Sequence, residues 1–180
     1  MRVITGTARG VQLKTPEGML TRPTTDRVKE ALFSIIHFEI PGASVLDLFG
    51  GTGQLGIEAL SRGAQNAVFV DARGDACKLI RENLKRTKLE QNGRVVRSDY
   101  LDYLNCCREK FNIILLDPPY AEVFLENALK RITEIDILQS NGIIVTERPL
   151  GKELPWEFDG YVRSKDYKYG KTLITIYRKA

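Results

Sequence analysis

The chain reads as an α/β protein built on a doubly wound, mostly parallel seven-stranded sheet. Three observations predict this. Short apolar segments alternate with helical segments five times between Ser44 and Glu147, the pattern of parallel strands joined by right-handed crossovers. One segment, FNIILLD, is apolar without a break, as in a strand covered on both faces. Residues 160–179 then switch to two β-rich runs around a Tyr-Gly turn, which predicts an antiparallel addition at one edge.

At the amino end, RVITG and VQLKT flank TARG and predict a small β-hairpin. It would extend over residues 1–20, ahead of a core over 21–180, in one domain of 180 residues. MLTRPTTDRVKEALFSII marks a helix start, with Pro23 and the Thr24-Thr25 pair as amino-terminal chemistry. Val28, Ala31, Leu32, Ile35 and Ile36 then share one face, expected to pack on the core.

SVLDLF predicts the first strand, and QLGIEALSRG a helix ended by Gly63. NAVFVD is the second strand. DACKLIRENLKRTKL is a helix with Ala76, Leu79, Ile80, Asn83 and Leu84 along one side. GRVVRSD, the short helix YLDYLNCC, FNIILLD, the helix AEVFLENALKRITEI and the strand GIIVTE complete the alternation.

A composition of 43% hydrophobic and 28% charged residues is that of a globular chain rather than a disordered one. The net charge of +4 permits a polyanionic partner without requiring one. Cys77, Cys106, Cys107 and His37 show no metal-ligand spacing, so no metal is expected. The start lacks an apolar signal core and no segment has membrane-spanning length. A cytoplasmic monomer with reduced thiols and no membrane partner is therefore expected.

Four predicted strands end in acids, Asp47, Asp71, Asp99 and Asp117. In a doubly wound sheet, ligands bind beyond the carboxyl ends of the strands. At the first end, DLFGGTGQLG places Gly51, Gly53 and Gly56 as G-x-G-x-x-G, and Asp71 follows 18 positions after Gly53. Glycines allow a close backbone approach, the helix start offers free N–H groups, and the acid suits ribose hydroxyls. A nicotinamide-dependent oxidoreductase satisfies that much. Asp47 favours another ligand: ahead of the glycines it would repel a pyrophosphate and welcome an ammonium and a sulfonium, both present in S-adenosylmethionine.

VLDLFGGTG, VFVD, the acid of RSDY and LLDPPY resemble the class I S-adenosylmethionine-dependent methyltransferases, with their Rossmann-like fold. DPPY is similar to the motif of enzymes that methylate exocyclic amino groups. RPTTDRVKEALFSII and RVITGTARG narrow the resemblance to the bacterial small-subunit (16S) ribosomal RNA guanine-N2 methyltransferases that modify guanine 966. The resemblance implies that Phe49, Gly50, Gly51, Thr52 and Gly53 hold the methionine part of S-adenosylmethionine, with Asp47 near its ammonium. It implies Asp71 at the ribose, Asp99 at the adenine amino group with Tyr100 beside it, and Asp117 at both cofactor and target. Phe49 stands where many class I chains have Gly, and Gly50 where Ala is common.

The expected catalytic group is Asp117, Pro118, Pro119 and Tyr120. Asp117 and the Pro118 carbonyl would accept the amino hydrogens and draw the lone pair toward the methyl carbon, while two X-Pro bonds hold that carbonyl in place. Tyr120 would stack on the extruded base. Arg22 and Thr24 are expected to close over cofactor or substrate. Arg2, Arg9, Lys14, Arg22, Arg27 and Lys29 are expected at RNA phosphates. The partner implied is 16S ribosomal RNA in the small ribosomal subunit or its precursor. DNA adenine N6 or another amino substrate, a nicotinamide-dependent oxidoreductase, and a non-catalytic RNA-binding relative remain as alternatives.

Overall fold

A computed structural model describes residues 1–16, 26–119, 122–151 and 153–180. Five helices and eight strands follow in the order α1 (Asp26–Ile35), β1 (Ser44–Asp47), α2 (Gln54–Ser61), β2 (Asn66–Asp71), α3 (Gly74–Thr87), β3 (Gly93–Arg97), α4 (Tyr100–Cys106), β4 (Phe111–Leu116), α5 (Glu122–Ile135), β5 (Leu138–Pro149), β6 (Glu157–Phe158), β7 (Tyr161–Tyr169) and β8 (Thr172–Lys179) among these residues.

The strands form one sheet in the order β3-β2-β1-β4-β5-β8-β7-β6. β1 to β5 run parallel, and β8, β7 and β6 add antiparallel to them. The sheet thus has eight strands rather than the predicted seven. The extra one, β6, is two residues long and exists only through pairing with β7, so it carries no periodicity to read. β2 lies on one side of β1 and β4 on the other, which makes the β1–β4 crevice the switch point at which doubly wound sheets bind ligands.

Each face of the sheet is covered. On one, Val45, Phe69, Leu115 and Val145 meet Leu32 and Phe33 of α1, Ile57 of α2 and Ile80 of α3 in one apolar cluster. On the other, Leu46, Val70, Ile114 and Ile144 meet Leu104 of α4 and Leu129 and Ile132 of α5. Burial on both sides explains the unbroken apolar run of β4.

The predicted amino-terminal hairpin reduces to a single bridge, Arg2 to Gln12, with flanking hydrogen bonds such as Val3 N to Val11 O at 3.0 Å. The backbone finds other partners on α2. The amides of Ile4 and Thr5 donate to the Glu58 carboxylate at 2.8 and 3.0 Å, and those of Thr7 and Ala8 to Ser61 O and Oγ. Contact is so close that a Cβ on Gly6 would lie 1.7 Å from Ser61 O, and Gly6 has a φ of 90°. Only glycine fits there.

This loop also changes the reading of α1. Its buried residues are Val28, Lys29, Leu32 and Phe33, whereas Ala31 and Ile35 are only half-buried. Lys29 is fully enclosed, donates to Arg2 O and lies 3.7 Å from the Glu58 carboxylate. It cannot reach RNA phosphates, contrary to the expectation from sequence. Two more cations of that group have carboxylate partners, Arg2 with Asp26 and Lys14 with Glu82. Pro23, Thr24, Thr25 and Arg22 lie outside the described residues.

Candidate active site

Register places the four strand-end acids. Asp47 pairs with Phe69 of β2 and Leu115 of β4. Asp71 and Asp117 therefore stand two residues further along, about 6–7 Å nearer the carboxyl edge. Asp71 pairs with Arg97, so Asp99 lies two residues further still. By alternation all four fall on the α1–α3 side of the sheet. The acids thus form a stepped line with Asp47 deepest, 1% exposed.

Asp47 Oδ2 accepts from the Gly56 amide at 3.0 Å. Burial pushes its carboxyl up to about 7; the Gly56 bond opposes this, and the charges of Asp117 and Asp71 add to it. The Asp117 and Asp71 carboxylates therefore bear on Asp47 at the switch point, and a cation there would relieve it.

The glycine loop is braced from both sides. Gly51 and Gly53 have φ of 55° and 80°. Gly53 N closes on Gly50 O at 2.7 Å, and Gly50 N donates to Val70 O at 2.8 Å. Asp71 accepts from Gly51 N through Oδ2 and from Arg73 N through Oδ1, both at 2.9 Å. The second-strand acid therefore shapes the first-strand loop as well as facing the edge. A Cβ on Gly56 would come within 2.2 Å of the Phe69 ring, so this glycine seats α2 on β2. The Thr52 carbonyl accepts from Asn83 Nδ2 at 2.9 Å.

Asp99 is exposed and caps α4, with Oδ1 accepting from Leu101 N at 2.8 Å. Tyr100 is mostly buried, its ring 5.2 Å from that of Phe49 and 5.5 Å from that of Phe124. Phe49 and Phe124 are 6.4 Å apart. These three rings join the glycine loop to the first turn of α5, just past DPPY. Phe124 was missed from the sequence; its signal was its place four residues beyond Tyr120 at a helix start. Asp117 and Pro118 are half-buried and Pro119 exposed. Tyr120 lies outside the described residues.

Arg148 was also missed. Thr146 pairs with Leu116, so Arg148 stands level with Pro118. It is 3% exposed, pairs with Asp166 at 2.9 Å and donates to Thr175 Oγ1 at 3.1 Å. A fixed cation thus backs the strand beside the DPPY corner.

A switch-point crevice with a buried acid beneath a glycine loop, and a Pro-Pro corner on the neighbouring strand, define a class I methyltransferase of Rossmann-like fold. The family model described as "Conserved hypothetical protein 95" matches residues 1–178, and the chain belongs to that family. A Bacillus subtilis (strain 168) protein named "Putative rRNA methyltransferase YlbH" is 41% identical over 182 residues, covering 99% of each chain. "Ribosomal RNA small subunit methyltransferase D" of Escherichia coli (strain K12) is 31% identical over 179 residues, covering 99% of this chain and 90% of that one. The solved "Putative methyltransferase yhhF from Escherichia coli" superposes with a TM-score of 0.90 at 30% identity, covering 100% of this chain and 98% of that one.

Proposed function

We infer that the protein transfers the methyl group of S-adenosylmethionine to the exocyclic N2 of a guanine in 16S ribosomal RNA, guanine 966 by family resemblance, within the small subunit or its precursor. The observation that carries this is the juxtaposition of Asp47, Asp71 and Asp117 at the switch point, where the other two carboxylates add to the cost of ionising the buried Asp47 and a cation would offset it. S-adenosylmethionine fits that need, because it brings an ammonium and a sulfonium and supplies an electrophilic methyl group. The names of the two relatives point to ribosomal RNA as the acceptor.

In this reading Asp47 holds the ammonium end below Phe49, Gly50, Gly51, Thr52 and Gly53. Asp71 faces the ribose with the lone pairs not used by Gly51 and Arg73. Asp99 takes the adenine amino group beside Tyr100. Asp117 and the Pro118 carbonyl accept the hydrogens of the guanine amine and turn its lone pair toward the sulfonium methyl. Tyr120 stacks on the base. A pyrophosphate-bearing nicotinamide cofactor is disfavoured by the same three carboxylates.

The test is transfer of tritiated methyl from S-adenosylmethionine to RNA of cells lacking the gene, offered as naked RNA and as small subunits. The labelled nucleoside is expected to be N2-methylguanosine. N6-methyladenosine would replace the acceptor, and NADH binding without S-adenosylmethionine binding would replace the class.

A further inference from the structure

Residues 161–180 contain six Lys or Arg and one acid, more positive charge than the whole chain's net +4. The remaining 160 residues thus sum to a net charge of −1, and the β7–β8 hairpin is one of the strongly basic segments of the chain, as residues 1–29 are. Within it, Arg163 pairs with Asp166, Arg178 with Glu39 and Lys179 with Asp136. Lys165 lies over the Tyr167 ring at 5.0 Å. Lys168 and Lys171 are exposed and make no ion pair among the described residues.

Register shows where this charge is delivered. Leu116, the last residue of β4, pairs with Thr146, so Pro149 stands level with Pro119. Pro149 pairs with Thr172, and Thr172 with Tyr169. Leu150 N donates to Lys171 O at 2.8 Å. The hairpin tip, Tyr169-Gly170-Lys171, therefore reaches the same edge of the sheet as DPPY. It lies on the side away from the glycine loop and Asp71. Val123 and Leu150, 63% and 47% exposed, follow the ends of β4 and β5 on that edge.

We propose that the β7–β8 hairpin tip, through Lys168 and Lys171, is the docking surface for the RNA strand flanking the target base. The surface rests on the methyltransferase reading for its orientation: cofactor over β1–β3, target at β4, flanking RNA over β5, β8 and β7. Two exposed ammonium groups with no ion-pair partner among the described residues, on a tip aligned with the Pro-Pro corner, suit backbone phosphates. Val123 and Leu150 offer apolar surface to bases splayed beside the extruded one. The contacts position the RNA and do not read its sequence.

The experiment compares wild type, Lys168→Gln/Lys171→Gln, and a control, Lys85→Gln/Lys130→Gln. The control loses equal charge from exposed positions in α3 and α5 away from this edge. Binding of transcribed 16S RNA is measured against salt, S-adenosylmethionine binding by calorimetry, and methyl transfer on small subunits. The tip variant is expected to bind RNA about tenfold more weakly, with the slope of log affinity against log salt shallower by about 1.4, or 0.7 per single-strand phosphate lost. Its cofactor affinity and kcat should match wild type while KM for RNA rises. Unchanged RNA affinity and slope in the tip variant would overturn the surface, as would an equal loss in the control. If the tip variant loses RNA binding and wild type transfers no methyl group to any RNA, the surface stands and the functional reading falls.

Discussion

Asp47 at the end of β1 accepts a hydrogen bond of 3.0 Å from the amide of Gly56 in the first turn of α2. That bond spans the glycine loop, so the deepest acid of the site is both a charge and a strut. Its carboxyl is raised from 3.8 to about 7, first by burial. A folded-state value above the unfolded one means that ionisation penalises the fold. The penalty is absent below pH 4, grows between pH 4 and 7, and is constant above 7. Asp47→Asn keeps an oxygen for Gly56 and removes the charge. The ligand-free variant is expected to melt higher than wild type by a margin that grows from pH 4 to 7 and then levels, on the order of a few kcal/mol at its plateau. Wild-type affinity for S-adenosylmethionine should rise toward pH 7, by up to about tenfold per unit, and that rise should vanish in the variant. Melting scans and calorimetry across pH check both; a margin that shrinks with pH would refute the assignment.

Gly56→Ala tests the strut from the other end. Its Cβ would sit 2.2 Å from the fully buried Phe69 ring, and relief requires α2 to lift from the sheet. A loss of about 1–3 kcal/mol is expected from overpacking, together with weaker cofactor binding because the Gly56 amide moves away from Asp47. Gly50→Ala is the contrast. Its Cβ would meet the Ile80 Cδ1 end at 2.9 Å, which can rotate away, so a cost below about 1 kcal/mol is expected. Denaturant melts of the two variants decide whether the loop tolerates a methyl group where the geometry says it does.

Asp117→Asn separates chemistry from binding. Replacing the anionic acceptor at the target amine by a neutral amide oxygen, a weaker acceptor, should lower kcat by about 10²–10³-fold, with much of the cofactor affinity retained. The same substitution removes a charge that holds the Asp47 carboxyl up. The midpoint of the pH dependence of cofactor affinity should therefore fall below the wild-type value. Unchanged turnover would remove Asp117 from the mechanism, and an unmoved midpoint would separate the two acids.

The alternating core was legible because each strand and helix carries its own period, and β1 to β5 with α2 to α5 follow it closely. What failed were features made by distant partners. RVITG and VQLKT alternate like strands, yet the amides of Ile4 and Thr5 turn to Glu58 on α2 and that of Lys14 to Asn83 on α3. Lys29 reads as a surface cation on a helix; only the loop laid over α1 encloses it with Glu58. The acids were visible as strand ends, but the depth of Asp47 follows from register with Phe69 and Leu115. Arg148 gave no local cue, because its partners Asp166 and Thr175 come from β7 and β8.

Asn83 shows how the amino-terminal segment and the cofactor loop depend on one another. It was read as one member of a packed face of α3, and it is indeed 0% exposed. Its amide, however, is fully engaged: Oδ1 accepts from Lys14 N at 2.8 Å, while Nδ2 donates to Lys14 O at 3.1 Å and to Thr52 O at 2.9 Å. Asn83→Leu keeps the volume and strands one amide and two carbonyls. A loss of about 2–4 kcal/mol is expected, with faster hydrogen exchange over residues 49–53 and weaker S-adenosylmethionine binding. Thr87→Val, one turn further along α3, is the control. Among the described residues the Thr87 hydroxyl bonds only carbonyls of its own helix, Asn83 O and Leu84 O, so its removal should cost about 1 kcal/mol or less and leave the loop unchanged. If Asn83→Leu lowers stability while exchange over 49–53 and cofactor affinity stay at wild-type values, the amide packs the helix and does not hold the loop.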